Sequence, residues 1–149
     1  MKNLQLPYLL FLFLIIFISS CEKADPEPPL AEQIMGEYTV DYYLAGTTKV
    51  TLPATVNGIT ATGTLSVSKL SETEISVLFT FIQTASDFGL DKKSTSTVPS
   101  ISLSKNSSGE IGGQDADGNT IGFSNDELRV KFNDSDPSSV LIIYASRSN

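Results

Sequence analysis

The sequence predicts an all-β domain: an antiparallel up-and-down barrel of about eight strands, preceded by a short helix. Three observations predict it. From Gly36 onward apolar and polar residues take turns with a period of two, the signature of half-buried strands. Turn pairs such as Asn57-Gly58, Ser108-Gly109, Asp117-Gly118 and Asn125-Asp126 separate these runs at short intervals, so neighbours in sequence pair as hairpins. The chain from Gly36 on suits one closed sheet, and closure removes the unpaired edges that an open sheet exposes. A two-sheet β-sandwich is the alternative closure for the same strands.

In chain order, Leu30 to Met35 is the one helical segment, with Gly36 at the C′ position that ends it. Tyr38, Val40, Tyr42 and Leu44 form the first inward row, leaving Glu37, Thr39, Asp41 and Tyr43 outside. Lys49–Leu52 is a short strand. Ile59, Ala61, Gly63, Leu65 and Val67 then alternate with Thr60, Thr62, Thr64, Ser66 and Ser68, one apolar face against one hydroxyl face. Ile75, Val77, Phe79 and Phe81 make a third inward row, and Leu128, Val130 and Phe132 a fourth. Shorter strands are predicted at Val98–Leu103, Glu110–Gln114 and Thr120–Ser124, with Pro99 at an edge or strand start. Val140–Arg147 is apolar on both faces, which places it centrally or under cover. Gly63, Gly112, Gly113 and Gly122 fall inside strands and are assigned to curvature.

The N-terminus carries a different signal. Lys2 precedes an unbroken apolar run of eleven residues, Tyr8 to Ile18, a length that suits the core of a secretory signal and falls short of a membrane span. The run ends in Ile18-Ser19-Ser20-Cys21, which resembles the lipobox of bacterial lipoproteins. The resemblance implies a signal peptide over residues 1–20, cleavage before Cys21, and lipid on that cysteine. Residues 21–29, with Pro26, Pro28 and Pro29 among mixed charges, read as an extended tether, and residues 30–149 as the barrel domain. Attachment through lipid on Cys21 places the protein in the cell envelope, at the outer membrane, facing either the periplasm or the surface.

Composition excludes more than it assigns. There are 17 acidic and 10 basic residues, one cysteine, no histidine and no tryptophan. Beyond residue 20, nine positive against 17 negative charges leave a formal charge of −8. That balance disfavours nucleic acid as a partner. Without histidine there is no Ser–His–Asp or Cys–His arrangement, and zinc sites built on His or several Cys are excluded. No enzymatic activity, metal or cofactor is expected. Asp115-Ala116-Asp117-Gly118-Asn119 lacks the Gly and Glu spacing of an EF-hand loop and reads as a hairpin turn. Asn133-Asp134-Ser135-Asp136 reads as a solvated loop.

The start and end of the domain carry a family resemblance. A short helix followed by Gly36-x-Tyr38, with Arg147 at the end of the last strand, resembles the lipocalin or calycin barrel. Lipocalins usually carry Trp where Tyr38 stands. The whole pattern looks most like the small lipocalin-like lipoproteins of Bacteroidota. The resemblance implies that Arg147 stacks over the Tyr38 ring and that the barrel holds a small apolar molecule. The inward rows nominate Tyr42, Val67, Phe79, Phe81 and Phe123 as its lining. The same residues serve equally as a packed core, which would make the domain a structural or interaction module of the envelope. A third reading is a glycan-binding sandwich that uses Tyr43 as its aromatic platform.

Overall fold

The computed structural model describes residues 26–85, 89–133 and 140–148. Helix α1 (Leu30–Ile34) is followed by ten strands: β1 (Gly36–Ala45), β2 (Thr48–Thr51), β3 (Ala54–Val56), β4 (Ile59–Lys69), β5 (Glu74–Ala85), β6 (Leu90–Lys105), β7 (Ile111–Gln114), β8 (Thr120–Ser124), β9 (Glu127–Phe132) and β10 (Leu141–Arg147). Strands β4 to β10 pair consecutively and antiparallel, β10 pairs with β1, and β1 pairs with β4. The result is a closed eight-stranded barrel, and the sandwich is set aside. The lower half of β1, Gly36–Thr39, lies against β4. Its upper half turns away to pair with β2, while β3 pairs with the upper end of β4. β2 and β3 thus fill the wedge where the closing strands diverge.

Two irregularities change the reading of single residues. Val40 pairs with Ala145 but Tyr42 with Tyr144, so Asp41 is an extra residue in β1. A one-residue bulge reverses every side chain beyond it. Tyr43, opposite the buried Ile143, therefore turns inward, and Tyr42 and Leu44 turn outward. This corrects the predicted inward row. The second irregularity lies between the pairs Ile75–Ile101 and Val77–Val98, which leaves β6 one residue longer than β5. Pro99 sits in this bulge, in the middle of a sixteen-residue strand and not at an edge; a bulge spares the ladder hydrogen bond that proline cannot donate.

Other differences are smaller. β3 and the upper part of β6 are additional to the expected strands. Pro53 and the small residues around Ala54 hide the first, and the unbroken polar run Asp91–Thr97 hides the second. Gly36 does follow the helix, but at φ +140° it already belongs to β1. β10 lies between β1 and β9; its second apolar face is explained by Tyr42 stacking over Tyr144 on the outside. The Asn57-Gly58 turn has both residues at positive φ, as a two-residue hairpin requires, and Asn125-Asp126 adopts the same conformation without glycine.

The inward rows meet in one core. Ile34, Tyr38, Leu65, Ile75, Ile101, Leu128 and Ile143 are completely buried, and no polar or charged residue is fully buried among the described residues. Gly63 and Gly113 make room in this core more than they bend the sheet. A Cβ on Gly63 would lie 3.1 Å from Val40, and one on Gly113 would lie 2.3 Å from the Ser102 carbonyl oxygen.

Candidate functional site

The two ends of the barrel differ. The lower end is closed by α1, whose Ala31 and Ile34 are fully buried. The Ala31 N–H donates to the Glu72 carbonyl across the β4–β5 loop, and Glu32 pairs with Lys69. The last part of the predicted tether also rests here: Glu27 pairs with Lys105, and the Gln33 side chain donates to the Pro28 carbonyl. Residues 26–29 are thus bound to the barrel rather than free of it.

Gly36, Tyr38 and Arg147 lie together at this end. The Arg147 guanidinium carbon is 5.4 Å from the Tyr38 ring centre and 5.6 Å from that of Phe123. One terminal nitrogen of Arg147 donates to the Gln33 carbonyl at 2.7 Å and to the Tyr38 hydroxyl at 3.1 Å; the other donates to the Met35 carbonyl at 3.3 Å. The Tyr38 hydroxyl in turn donates to the Ile34 carbonyl at 2.7 Å. These bonds satisfy carbonyls that the end of a five-residue helix leaves free. Burial holds the Tyr38 hydroxyl above the ordinary tyrosine range; the Arg147 charge opposes this and Asp126 adds to it. A Cβ on Gly36 would come within 3.7 Å of the guanidinium. A shallow depression of about 380 Å3 lies outside this latch, lined by Asn125, Asp126, Glu127, Ser146 and Arg147. It is polar and open, the wrong character for an apolar ligand.

The upper end is where inward side chains remain partly accessible. Tyr43, Phe79, Phe81 and Phe132 all pack on the core without being fully buried. Tyr43 meets Phe81 edge to face at 6.4 Å, Phe81 lies 6.4 Å from Phe79, and Phe79 lies 6.3 Å from Phe132. These four rings form an arc across the lumen from β1 through β5 to β9, spacings typical of interacting aromatics. Ala54, Ala61 and Leu141 pack at the same end.

Of the five residues nominated for a lining, Phe79 and Phe81 stand in this arc. Val67, opposite Gly36 in register, belongs to the closed lower end. Phe123 is also there, edge to face with Tyr38 at 6.3 Å. Tyr42 lies outside the wall, stacked on Tyr144 with ring centres 4.4 Å apart. Tyr43 and Phe132 take the vacated roles, so Tyr43 is no exposed glycan platform. Its one sequence signal was the doublet Tyr42-Tyr43 after an aspartate, a break in strict alternation. The Asp115 carboxylate accepts from the N–H groups of Asp117 and Asn119 and from the Asn119 side chain, which makes this loop a self-satisfied turn. No group of three acidic, cysteine or histidine residues suited to a metal ion occurs among the described residues. Cys21 and residues 134–136 lie outside the described residues.

Comparison with known proteins adds little. No protein-family model matches the chain, and no curated protein sequence does. Among solved structures, the chain is similar to a de novo designed fluorescence-activating β-barrel at 19% identity, over 80% of this chain and 98% of the other, with a TM-score of 0.40.

Proposed function

We propose that the protein is a lipid-anchored, non-catalytic carrier of the lipocalin-like kind, which takes a small apolar molecule at the upper end of its barrel. One observation carries the reading: four inward aromatic rings cluster with accessible surface at the end opposite the helix, whereas at the lower end α1 covers the interior and Phe123 is the half-buried ring. Accessible apolar surface inside a rigid, closed sheet is the usual setting for a small-molecule site. The sealed lower half supports the second reading, a filled module of the envelope whose function lies on its loops.

Uptake of an environment-sensitive apolar dye by the polypeptide from residue 22 onward separates the two. Saturable, displaceable uptake is expected. Phe81→Ala should weaken it about thirtyfold, the equivalent of losing roughly 2 kcal/mol of ring burial. Tyr42→Ala, on the outer wall, should leave uptake unchanged. Absence of displaceable uptake would favour the filled module.

The anchor is tested separately. Cells fed an alkyne-bearing fatty acid are expected to label the wild-type protein and not Cys21→Ser. Two or more acyl chains, at about 0.8 kcal/mol per buried methylene, would hold the protein stably in a bilayer. Labelling of Cys21→Ser would remove the lipoprotein reading and leave the barrel site untouched.

A further inference from the structure

The lower end of the barrel is also the end to which the N-terminal segment is fastened. Glu27 pairs with Lys105 at the foot of β6, and Gln33 holds the Pro28 carbonyl, so the chain is tied down from Glu27 onward. From Cys21 to Glu27 the chain reaches about 20 Å at full extension. β4 runs from the upper rim at Ile59 to the lower rim at Lys69 and has 11 residues. At about 3.3 Å per residue and a tilt of about 40°, the wall it forms is about 25 Å tall. The leash is shorter than the wall. Lipid on Cys21 can bring the lower end to a bilayer, but it cannot let the mouth turn down onto that bilayer.

Two side chains at this end suit contact with lipid. Met35, just ahead of β1, is 44% exposed, and Leu70, just past β4, is 54% exposed. Continuing the Gly36–Val67 register by one pair sets Met35 beside Ser68, two residues from Leu70. Val56 and Ile59 are exposed at the upper rim and Leu78 on the wall, so exposure by itself does not choose an end. The leash does. Glu27 at the foot of β6, Met35 at the foot of β1 and Leu70 at the foot of β4 stand around α1. Points spread round one rim meet a plane together when the barrel stands upright; a barrel lying on its side lifts at least one of them. Charge plays no part in this contact. Lys69, Lys105 and Arg147 are each paired with a carboxylate at the lower end, and the domain is acidic, so anionic lipid adds nothing.

We infer, resting on the lipid anchor proposed above, that the barrel stands on the zwitterionic surface of the bilayer that holds its own acyl chains. The helix-closed end faces down, Met35 and Leu70 sit in the headgroup layer, and the mouth is held about 25 Å out in water. Apolar side chains gain by leaving water at the boundary between headgroups and acyl chains. The anchor confines them beside that boundary, so a contact too weak to bind alone is made within one molecule. A ligand of the upper lumen then enters from the aqueous side. Lipids of the anchoring bilayer are excluded as its direct supply, because the rings Tyr43, Phe79, Phe81 and Phe132 lie at the end farthest from them.

The test uses the full-length protein, extracted from membranes with its lipid and reconstituted into phosphatidylcholine liposomes. Cys21 is the sole cysteine and its sulfur is taken up by lipid, so one introduced cysteine carries a fluorophore. Quenching by a lipid with a nitroxide headgroup then reads closeness to the surface. Strong quenching is expected at Leu70→Cys and at Glu72→Cys, weaker quenching at Thr64→Cys on the wall, and none at Val56→Cys. Raised salt should leave this order unchanged, and added phosphatidylglycerol should not strengthen the quenching. Met35→Glu/Leu70→Glu, read from the Glu72→Cys probe, should lose quenching down to the Thr64→Cys level while still floating with liposomes and keeping the wild-type thermal midpoint. Equal quenching at Leu70→Cys and Thr64→Cys, quenching at Val56→Cys, or full quenching in the double variant would each overturn the orientation and leave the anchor in place. Failure of the wild-type protein to float with liposomes would remove anchor and orientation together.

Discussion

Replacing Tyr38 by alanine is expected to bring the barrel close to unfolding. The ring is completely buried, meets Phe123 and the Arg147 guanidinium, and its hydroxyl bonds the end of α1. Removing a buried aromatic costs about 3–5 kcal/mol, a large share of the roughly 5–15 kcal/mol that holds a domain folded. Urea denaturation followed by circular dichroism measures it. Tyr38→Phe keeps the ring and loses two hydrogen bonds, so about 1–2 kcal/mol is expected. The phenol also has a pH signature. Burial raises its pKa in the folded state, so its contribution is complete below the unfolded value near 10 and is lost as pH climbs through the higher folded value. The gap between wild type and Tyr38→Phe should therefore stay constant up to about pH 10 and narrow above it. A gap that narrowed toward neutral pH would contradict the buried, neutral phenol.

Gly113→Val is the second large effect. The first carbon of any side chain at Gly113 would meet the Ser102 carbonyl oxygen at 2.3 Å and the Ile101 side chain at 2.7 Å. Backbone cannot yield as the end of a flexible side chain can, so β7 must move away from β6. Overpacking typically costs 1–3 kcal/mol, and here about 3 kcal/mol or more is expected because the clash is with a strand partner. Gly58→Ala, which meets nothing within 4 Å, is strained only by its turn conformation and should cost about 1 kcal/mol. If thermal unfolding placed Gly113→Val with wild type, the close approach of β6 and β7 would be wrong.

Much of the fold was legible because period-two patterning reports directly which side of a sheet is wet. The β4 run from Gly63 to Val67 against Thr64 to Ser68, and the β9 run, Leu128 to Phe132 against Glu127 to Lys131, are read on the correct faces; Ile59, at the upper rim of β4, is exposed where an inward residue was expected. The Gly36, Tyr38 and Arg147 set was legible for another reason: each is a distinctive residue at the end of an element, where the helix and the last strand must meet.

The site was less legible. A bulge leaves almost no trace in composition, yet the extra residue Asp41 exchanges Tyr42 for Tyr43 in the lumen and sends Tyr42 to the outer row. Closure also decides what alternation cannot. Val67, Phe79 and Phe123 are all inward, but height in the barrel separates a sealed lower end from an accessible upper one. Height depends on strand stagger, and stagger is set by pairings between residues far apart in the chain, such as Gly36 with Val67 and Tyr38 with Arg147.

By itself, then, the amino-acid sequence determined the class of the fold, the faces of most strands and the exclusion of histidine chemistry, since each follows from local pattern or composition. Tertiary structure alone decided between barrel and sandwich, which aromatic rings share the upper lumen, and that Tyr42, Tyr144 and Arg129 stand in one row on the outer wall. Those facts arise from hydrogen-bond register across strands, a long-range quantity that no window of neighbouring residues contains.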